Sequence, residues 1–198
     1  MTAAKKKALI DTLIKTETVN AVLSLIKTNE PITMAAIARE CKMAKGTIYN
    51  YFKNKADLMA YVHQAILEPI KDSKGSILES DKDPLSRLYE FIDAVFDTNE
   101  DVRLYFQFIQ HKRSVASEIQ ERQDIIMIPL TRLCQQGIDQ NLFMDVDPAI
   151  LAEAIYGIVI SPLKSISHTT VQQHRLETVK QDVLRLIQRI VLAEQRKK

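Results

Sequence analysis

A stretch over residues 32–55 constrains the fold of this chain more than any other, because it predicts two short helices joined by a tight turn. The first helix is expected over residues 34–41, where apolar side chains recur at helical spacing. The second is expected over residues 45–52, because Ile48 and Phe52 lie four positions apart and would share its inner face. Two helices joined in this way form a shape that enters a groove of DNA.

The second helix carries polar, aromatic and basic side chains on the faces that Ile48 and Phe52 leave outward. A helix with a purely structural role needs no such set. Threonine, asparagine and tyrosine side chains can bond phosphate oxygens or base edges, and lysine supplies positive charge. The outward residues are Lys45, Thr47, Tyr49, Asn50 and Tyr51.

The next helix is predicted to begin at Lys55, with Asn54 as its cap. A helix N-terminus carries partial positive charge, so an amide donor and a lysine there predict a contact with phosphate. Residues 1–55 hold ten Lys and Arg against four Asp and Glu, a charge of +6, whereas the rest of the chain holds 17 against 21, a charge of −4. This asymmetry predicts a polyanionic partner at one end only.

Composition fits a compact helical protein. Hydrophobic residues make up 46% of the 198 residues, and only 4 glycines and 6 prolines occur, which is typical of helix-rich chains. No apolar run reaches the roughly 18 residues that a membrane span needs, so no membrane association and a cytoplasmic location are expected. Cys41 and Cys134 lie outside any metal-binding pattern, so no disulfide framework, metal or cofactor is predicted.

The residues after the turn form a specific motif. Ile37-Ala38 is followed by Lys-Gly-Thr-Ile-Tyr-Asn-Tyr-Phe-Lys-Asn-Lys-Ala-Asp-Leu over residues 45–58. This run resembles the DNA-binding domain of the TetR family of bacterial transcriptional regulators. The resemblance implies that the helix over residues 45–52 enters the major groove, that Gly46 allows close backbone approach and that Lys55 meets phosphate. The DNA contacts that it implies are Thr33, Lys45, Gly46, Thr47, Tyr49, Asn50, Tyr51 and Lys55.

The turn departs from the family pattern, which usually has glycine followed by valine and serine. Lys42, Met43 and Ala44 occupy these positions. Lys42 would adopt a left-handed conformation at a cost of about 1 kcal/mol, and Ala44 lacks an N-cap oxygen, at a cost of about 1 kcal/mol more. The family's glycine after the first helix is also absent, and Asn29 is the expected substitute.

The whole sequence predicts an all-α fold of about nine helices. We place a helix-turn-helix DNA-binding domain at residues 1–55, including the start of the fourth helix, and a helical ligand-binding and dimerisation domain at residues 56–198. Pro69 is expected to kink or end the fourth helix, and a polar loop is expected after it. The other predicted helices cover residues 4–28, 84–97, 101–112, 117–141, 148 onward and 171–194.

Aromatic side chains cluster over residues 89–108 and give the body a candidate ligand pocket. The expected ligand is a small-molecule effector of largely apolar character. The alternative is that these side chains simply fill the core, as buried aromatic residues commonly do. The candidate pocket residues are His63, Phe96, Tyr105, Phe108, Met127 and Tyr156.

The last two helices combine small residues with a wide apolar face. In the TetR family the corresponding helices form a four-helix bundle between two subunits; the alternative is that they bury each other within one chain. A homodimer is favoured, because paired half-sites in DNA require a twofold reader. The candidate interface residues are Ala154, Gly157, Ser161, Val183, Ile187 and Ile190.

These patterns and the resemblance favour a ligand-responsive repressor that binds a palindromic operator in double-stranded DNA as a dimer. One alternative is a helical protein-interaction module with a vestigial DNA reader. An enzyme is a further alternative, although the sequence has no nucleophile elbow, phosphate-binding loop or metalloprotease motif. Loss of sequence-specific DNA binding would favour the second class, and turnover of a substrate would favour the third.

Overall fold

A computed structural model describes residues 2–110, 112–165 and 172–192. Within these ranges the chain forms ten α-helices and one π-helical turn, Gln123–Met127, and no helix is both long and apolar enough to cross a membrane. The helices are α1 Ala3–Lys27, α2 Met34–Glu40, α3 Lys45–Tyr51, α4 Lys55–Leu78, α5 Pro84–Phe96, α6 Glu100–Ile109, α7 Val115–Arg122, α8 Ile128–Asp139, α9 Pro148–Ser165 and α10 Gln172–Val191. The all-α prediction is confirmed; the predicted ends of the last helix, at residues 171 and 194, lie outside the described ranges.

Three helices end next to a residue with positive φ that is not glycine. These residues are Asn29, Lys42 and Asn141, with φ values of 54°, 54° and 55°. Behind Lys42, the N–H of Met43 donates to the carbonyl of Ala38 at 2.9 Å, which closes the end of α2. The left-handed conformations predicted for Asn29 and Lys42 are therefore confirmed.

The fourth helix is longer than the sequence predicts. Instead of ending or yielding to a polar loop at Pro69, α4 continues through this proline to Leu78. Leu78 is fully buried, and Ile77 packs against the same hydrophobic core. Burial of these two side chains stabilises the helical turns after the proline, so the predicted loop over residues 71–78 is wrong.

The long helix predicted over residues 117–141 is divided. It begins earlier, at Val115, and the π-helical turn separates α7 from α8 just before Pro129. A π-helical turn contains one more residue per hydrogen-bonded loop than an α-helix, so it resets which side chains face inward. Ile125 and Met127, both within this turn, are buried. The helix predicted over residues 117–141 is therefore interrupted by a wider helical turn just ahead of Pro129.

The end of α8 is attached to the end of α10. The ring of Phe143 occupies the space that any side chain on Gly137 would need. One residue further on, the N–H of Met144 donates to the carbonyl of Val191 at 2.8 Å. This bond satisfies a carbonyl at the C-terminus of α10 that has no partner within its own helix.

The chain divides into two compact units. The first consists of Met1–Pro69 and Asn99–Lys112, and the second of Ile70–Thr98 and Arg113–Lys198. The first unit therefore includes α6 as well as α1–α3 and the beginning of α4. The domain boundary expected after residue 55 remains a prediction about function, because compactness does not identify the part that binds DNA.

Each unit has its own core. Fully buried residues of the first include Val22, Leu25, Ile37, Ile48, Leu58 and Val62. The core of the second brings together α5, α8, α9 and α10, with Leu88, Phe91, Ile92, Leu130, Cys134, Ile155, Val159, Val183 and Ile187 almost wholly inaccessible. In the second unit, Lys180 of α10 also pairs with Asp93 of α5 at 2.8 Å.

Candidate nucleic-acid interface

Helix α3 is held by its apolar face and leaves its polar faces outward. Ile48 is completely buried, and Phe52, the residue after the helix, is 3% exposed. Ile37 of α2 is also completely buried, so both short helices are attached to the core of the first unit. The predicted reading residues on the outer faces of α3 are Lys45, Gly46, Thr47, Tyr49 and Asn50, of which only Thr47 is half-buried.

Lys45 and Tyr49 lie side by side on this surface. The Lys45 ammonium nitrogen is 5.8 Å from the centroid of the Tyr49 ring, within the range of a cation–π contact. Their spacing of four residues places them one turn apart on the helix. The tyrosine ring is 46% exposed, so together they present a positive and aromatic patch to solvent.

Tyr51, also predicted to contact DNA, has a partner within the chain. Its hydroxyl donates to a carboxylate oxygen of Asp11 on α1 at 2.7 Å. This hydrogen bond raises the pKa of Tyr51. Sequence reasoning missed Asp11, because a contact between residues 40 positions apart leaves no periodic signal.

The helix starts around the reading surface, the surface formed by the outward residues of α3, are capped at two positions, and the cap predicted at Asn54 is confirmed. Thr33 accepts a hydrogen bond from the N–H of Ala36 at 3.0 Å, at the start of α2. Asn54 accepts one from the N–H of Asp57 at 2.9 Å, and the Asp57 carboxylate in turn accepts from the N–H of Lys53 at 3.0 Å. This reciprocal pair fixes the start of α4 and leaves its outer surface to the neighbouring residues.

Positive charge remains uncompensated at the reading surface. Glu30 pairs with Arg39 at 2.5 Å, and Glu40 accepts a hydrogen bond from a serine of α1 at 2.6 Å. Among the described residues, no carboxylate lies within ion-pair distance of Lys45 or Lys55. Both lysines are exposed, so their charges are available to phosphate.

The six candidate pocket residues divide between the two units. The first unit contains His63, Tyr105 and Phe108, and the second contains Phe96, Met127 and Tyr156. Phe96 and Met127 are almost fully buried in the core of the second unit, which agrees with the core alternative for these two. Tyr156 is half-buried, with the guanidinium of Arg122 5.3 Å from its ring centroid.

Two of the candidates are in direct contact within the first unit. Nδ1 of His63 on α4 lies 3.1 Å from the hydroxyl of Tyr105 on α6, and both side chains are buried. Phe106 stands edge-on to both rings. Within the described ranges, no three His, Cys, Asp or Glu side chains are grouped as a metal ion would require. The hydrogen bond between His63 and Tyr105 connects α4 directly to α6.

The predicted interface residues separate by exposure. Val183 and Ile187 are buried in the core of this chain, 2% and 0% exposed, and so are unavailable to a second copy. Ile190 remains 43% exposed. On α9 the small residues Ala154, Gly157 and Ser161 are all exposed. The side of α10 that faces inward at Val183 depends on how this helix packs against α5 and α9, and periodicity alone does not specify that packing.

Comparison with known proteins agrees with these observations. Residues 30–62 match the family model described as bacterial regulatory proteins, tetR family. The chain is 21% identical over 134 residues to an uncharacterized HTH-type transcriptional regulator, YhgD, of Bacillus subtilis (strain 168), covering 65% of this chain and 70% of that protein.

Solved structures share the fold. A TetR transcription regulator from Haloarcula marismortui matches with a TM-score of 0.75 at 20% identity, over 91% of this chain and 99% of the other. A transcriptional regulator from Saccharomonospora viridis, solved in complex with choline, matches with a TM-score of 0.76 at 15% identity, over 92% of this chain and 100% of the other.

A helix-turn-helix that buries its apolar side and exposes a polar second helix, in an all-α chain, is typical of DNA-binding transcriptional regulators. The match over residues 30–62 relates this region to bacterial regulatory proteins of the tetR family, and the chain shares the fold of a solved TetR regulator. The resemblance to the TetR family of transcriptional regulators is therefore confirmed for the region over residues 30–62, as the sequence predicts.

Proposed function

We propose that this chain is a ligand-responsive repressor that binds a palindromic operator as a homodimer in the cytoplasm. The observation that carries the proposal is the outer surface of α3. Polar, aromatic and basic side chains project from a helix whose apolar side is fixed by Ile48. Such a helix fits the major groove, where base edges present distinct patterns of donors and acceptors.

The residues of this surface take different roles. Thr47, Tyr49 and Asn50 contact base edges and nearby phosphates, and so supply specificity. Lys45 and Lys55, whose charges are uncompensated, contact phosphates and supply affinity through counterion release. Thr33 caps α2 with its acceptor oxygen, so its hydroxyl proton remains available to a phosphate.

The proposed dimer interface lies on the exposed sides of α9 and α10. On α9, Ile150, Ala154, Gly157 and Ser161 recur at helical spacing and are exposed. Leu186 and Ile190 add two large exposed apolar side chains on α10. Apolar surface of this kind on adjacent helices supports burial against a second copy, and a twofold dimer matches paired half-sites.

The proposed effector is a small, largely apolar molecule. The Saccharomonospora viridis regulator of the same fold was solved in complex with choline, which supports a small-molecule effector for this chain too. An effector that binds the DNA-incompetent state more tightly shifts the population toward it and releases the operator. The pair His63 and Tyr105 joins α4, which follows the reading surface, to α6.

The DNA-binding proposal is tested by selection and substitution. The purified protein is offered a random pool of 20-base-pair duplexes, and bound duplexes are enriched and sequenced. Thr47→Ala and Tyr49→Ala are expected to lower affinity for the selected duplex by about five- to 150-fold, because each removes a groove contact of about 1–3 kcal/mol. Their affinity for an unselected duplex should change little.

Lys55→Ala is expected to weaken binding to selected and unselected duplexes alike, and to reduce the slope of log affinity against log salt by about 1 for each Lys55 in the bound assembly. Lys71→Ala is the matched control, since it removes another exposed lysine of the same helix. Failure to enrich any sequence, or a Thr47→Ala variant with unchanged affinity for the selected duplex, would contradict the proposal.

The effector is sought by thermal unfolding with a library of apolar and cationic compounds that includes choline. A ligand that binds the folded chain raises the melting temperature by mass action, and an effector should also release the selected duplex. A melting temperature unchanged across the library would count against the ligand site without affecting the DNA-binding proposal.

A further inference from the structure

The first part of α1 projects without entering the core. From Lys5 to Leu13 no side chain is buried, and Ile14 is the first that is. At a rise of 1.5 Å per residue, the part of the helix before Ile14 is about 16 Å long. A helical segment with no apolar burial is marginally stable by itself, so its contacts with the rest of the unit matter.

The hydrogen bond between Asp11 and Tyr51 attaches this segment to the recognition helix. Asp11 lies in the projecting part of α1, and Tyr51 is the last residue of α3. At 2.7 Å the phenol donates to an ionised carboxylate, which is among the stronger hydrogen bonds in proteins. An acid beside a DNA-binding surface repels phosphate, so its presence there requires a reason other than charge.

Two lysines share the face of α1 that carries Asp11. Lys7 lies four residues before it and Lys15 four residues after it, one helical turn on either side. Lys15 is held 5.4 Å above the ring of Tyr61 on α4. This face of α1 therefore contacts α3 through Asp11 and α4 through Lys15, and Lys7 lies on it one helical turn closer to the start of the helix.

We infer that the projecting part of α1 belongs to the DNA-contacting surface, with Asp11 as a positioning residue for α3 and Lys7 as a contact to phosphates flanking the groove. The inference rests on the proposed function and extends its surface. It identifies the partner as double-stranded DNA, because Lys7 is exposed, lacks a carboxylate partner among the described residues and continues the uncompensated charge of α3 and α4.

The helix supplies its own control for Lys7. Lys6 is the neighbouring lysine and is equally exposed. Five residues separate it from Asp11, which at about 100° per residue turns it about 140° away from the anchored face. A general effect of positive charge at the start of the chain would involve both lysines, whereas a contact made by the anchored face involves Lys7.

The first experiment measures affinity for the selected duplex as a function of salt. Lys7→Gln is expected to reduce the slope of log affinity against log salt by about 0.9 for each Lys7 in the bound assembly. Lys6→Gln should leave the slope unchanged. Equal slopes for wild type and Lys7→Gln would overturn the contact, and equal reductions in both variants would overturn the assignment to one face.

The second experiment separates positioning from charge at Asp11. If Asp11 acts only through its charge, Asp11→Asn removes a repulsion and binding to every duplex becomes tighter. If Asp11 positions α3, Asp11→Asn lowers affinity for the selected duplex by about tenfold, the equivalent of one charged hydrogen bond, and leaves unselected duplexes unaffected or bound slightly more tightly. Tighter binding to both duplexes would overturn the positioning role.

Tyr51→Phe tests the same bond from its other side. It removes the donor and keeps the ring, so its loss of affinity should match that of Asp11→Asn, and the double variant should lose no more than either single one. Additive losses would show that Tyr51 acts on DNA independently of Asp11. Wild-type protein that selects no duplex contradicts the proposed function itself, whereas normal selection with unchanged variants contradicts this inference alone.

Discussion

At the scale of single residues, Lys74 is a lysine whose side chain is largely buried. Its ammonium donates to the hydroxyl of Thr98 at 3.2 Å, and among the described residues it has no carboxylate partner. Burial lowers the pKa of Lys74 to about 8. In the unfolded chain a lysine has a pKa of about 10.4, so this residue binds its proton less tightly when the protein is folded.

The direction of the pH effect follows from this difference. Between about pH 8 and 10 the unfolded chain holds a proton that the folded chain has lost, so the free energy of unfolding should rise with pH across this window. Lys74→Met removes the buried charge, so it should raise the free energy of unfolding at pH 7 by about 1–3 kcal/mol. It should also abolish the part of the increase in the free energy of unfolding between about pH 8 and 10 that is due to Lys74.

Urea unfolding at pH 7, 8, 9 and 10 measures this effect as the difference between wild type and Lys74→Met. The difference should be largest at pH 7 and shrink toward pH 10. Lys71→Met, at an exposed position of the same helix, should show a small difference that does not depend on pH. A difference for Lys74→Met that is equally independent of pH would contradict the buried charge.

Single residues governed by local backbone geometry could be predicted from the sequence. Lys42 adopts the left-handed conformation that the turn requires, and Ala44 makes no side-chain cap bond at the start of α3. Thr33 and Asn54 are caps. Tyr51 illustrates what could not be predicted: its residue type indicated DNA contact, but its bond to Asp11 depends on how α1 packs beside α3.

At the scale of elements, α1 marks the limit of periodicity. The spacing of its apolar residues predicts one helix over residues 4–28, and one helix is present, Ala3–Lys27. The same spacing does not distinguish Leu13, which is 56% exposed, from Leu25, which is fully buried. Periodicity reports that a helix has an apolar side, whereas burial depends on whether another element covers that side.

This contrast leads to a paired prediction. Leu25→Ala should lower the free energy of unfolding by about 2–5 kcal/mol, because it leaves a cavity in the core of the first unit. Leu13→Ala should change it by less than about 0.5 kcal/mol, because the side chain is in solvent. Both are measured by urea unfolding followed by circular dichroism. Equal losses in the two variants would mean that another surface covers Leu13 in solution.

At the scale of the whole molecule, sequence patterns predict where helices form better than they predict which helices pack together in one compact unit. The aromatic residues of α5 and α6 are close in sequence and predict one pocket, which stays a prediction; Phe96 belongs to the second unit and Tyr105 to the first. α6 instead packs against α1, with Lys27 and Asp101 paired at 3.5 Å. Contacts between elements about 75 positions apart depend on chain topology, which neither periodicity nor a short motif encodes.

The proposed dimer interface is the apolar side of α10 that no other element of the described chain covers. On α10 the inner side is occupied by Val183 and Ile187, whereas Leu186 and Ile190 are 47% and 43% exposed. Changing the exposed pair to glutamate should therefore preserve the fold of the chain and prevent association with a second copy. Two half-sites about 34 Å apart require two linked readers, so loss of the dimer should also lower affinity for the selected duplex by at least tenfold.

Sedimentation velocity and DNA binding test this prediction on the Leu186→Glu and Ile190→Glu double variant. Wild type should sediment at twice the chain mass of 22.6 kDa, and the variant at that mass, with an unchanged circular dichroism spectrum. Ile119→Glu provides the matched control, because Ile119 is a comparably exposed apolar residue on α7 and should leave the dimer intact. A double variant that remains dimeric and keeps its affinity would contradict an interface on α10, and a monomeric Ile119→Glu would place it on α7 instead. A monomeric double variant with weakened DNA binding, together with a dimeric Ile119→Glu variant, would link the exposed side of α10 to binding of two half-sites by a dimer.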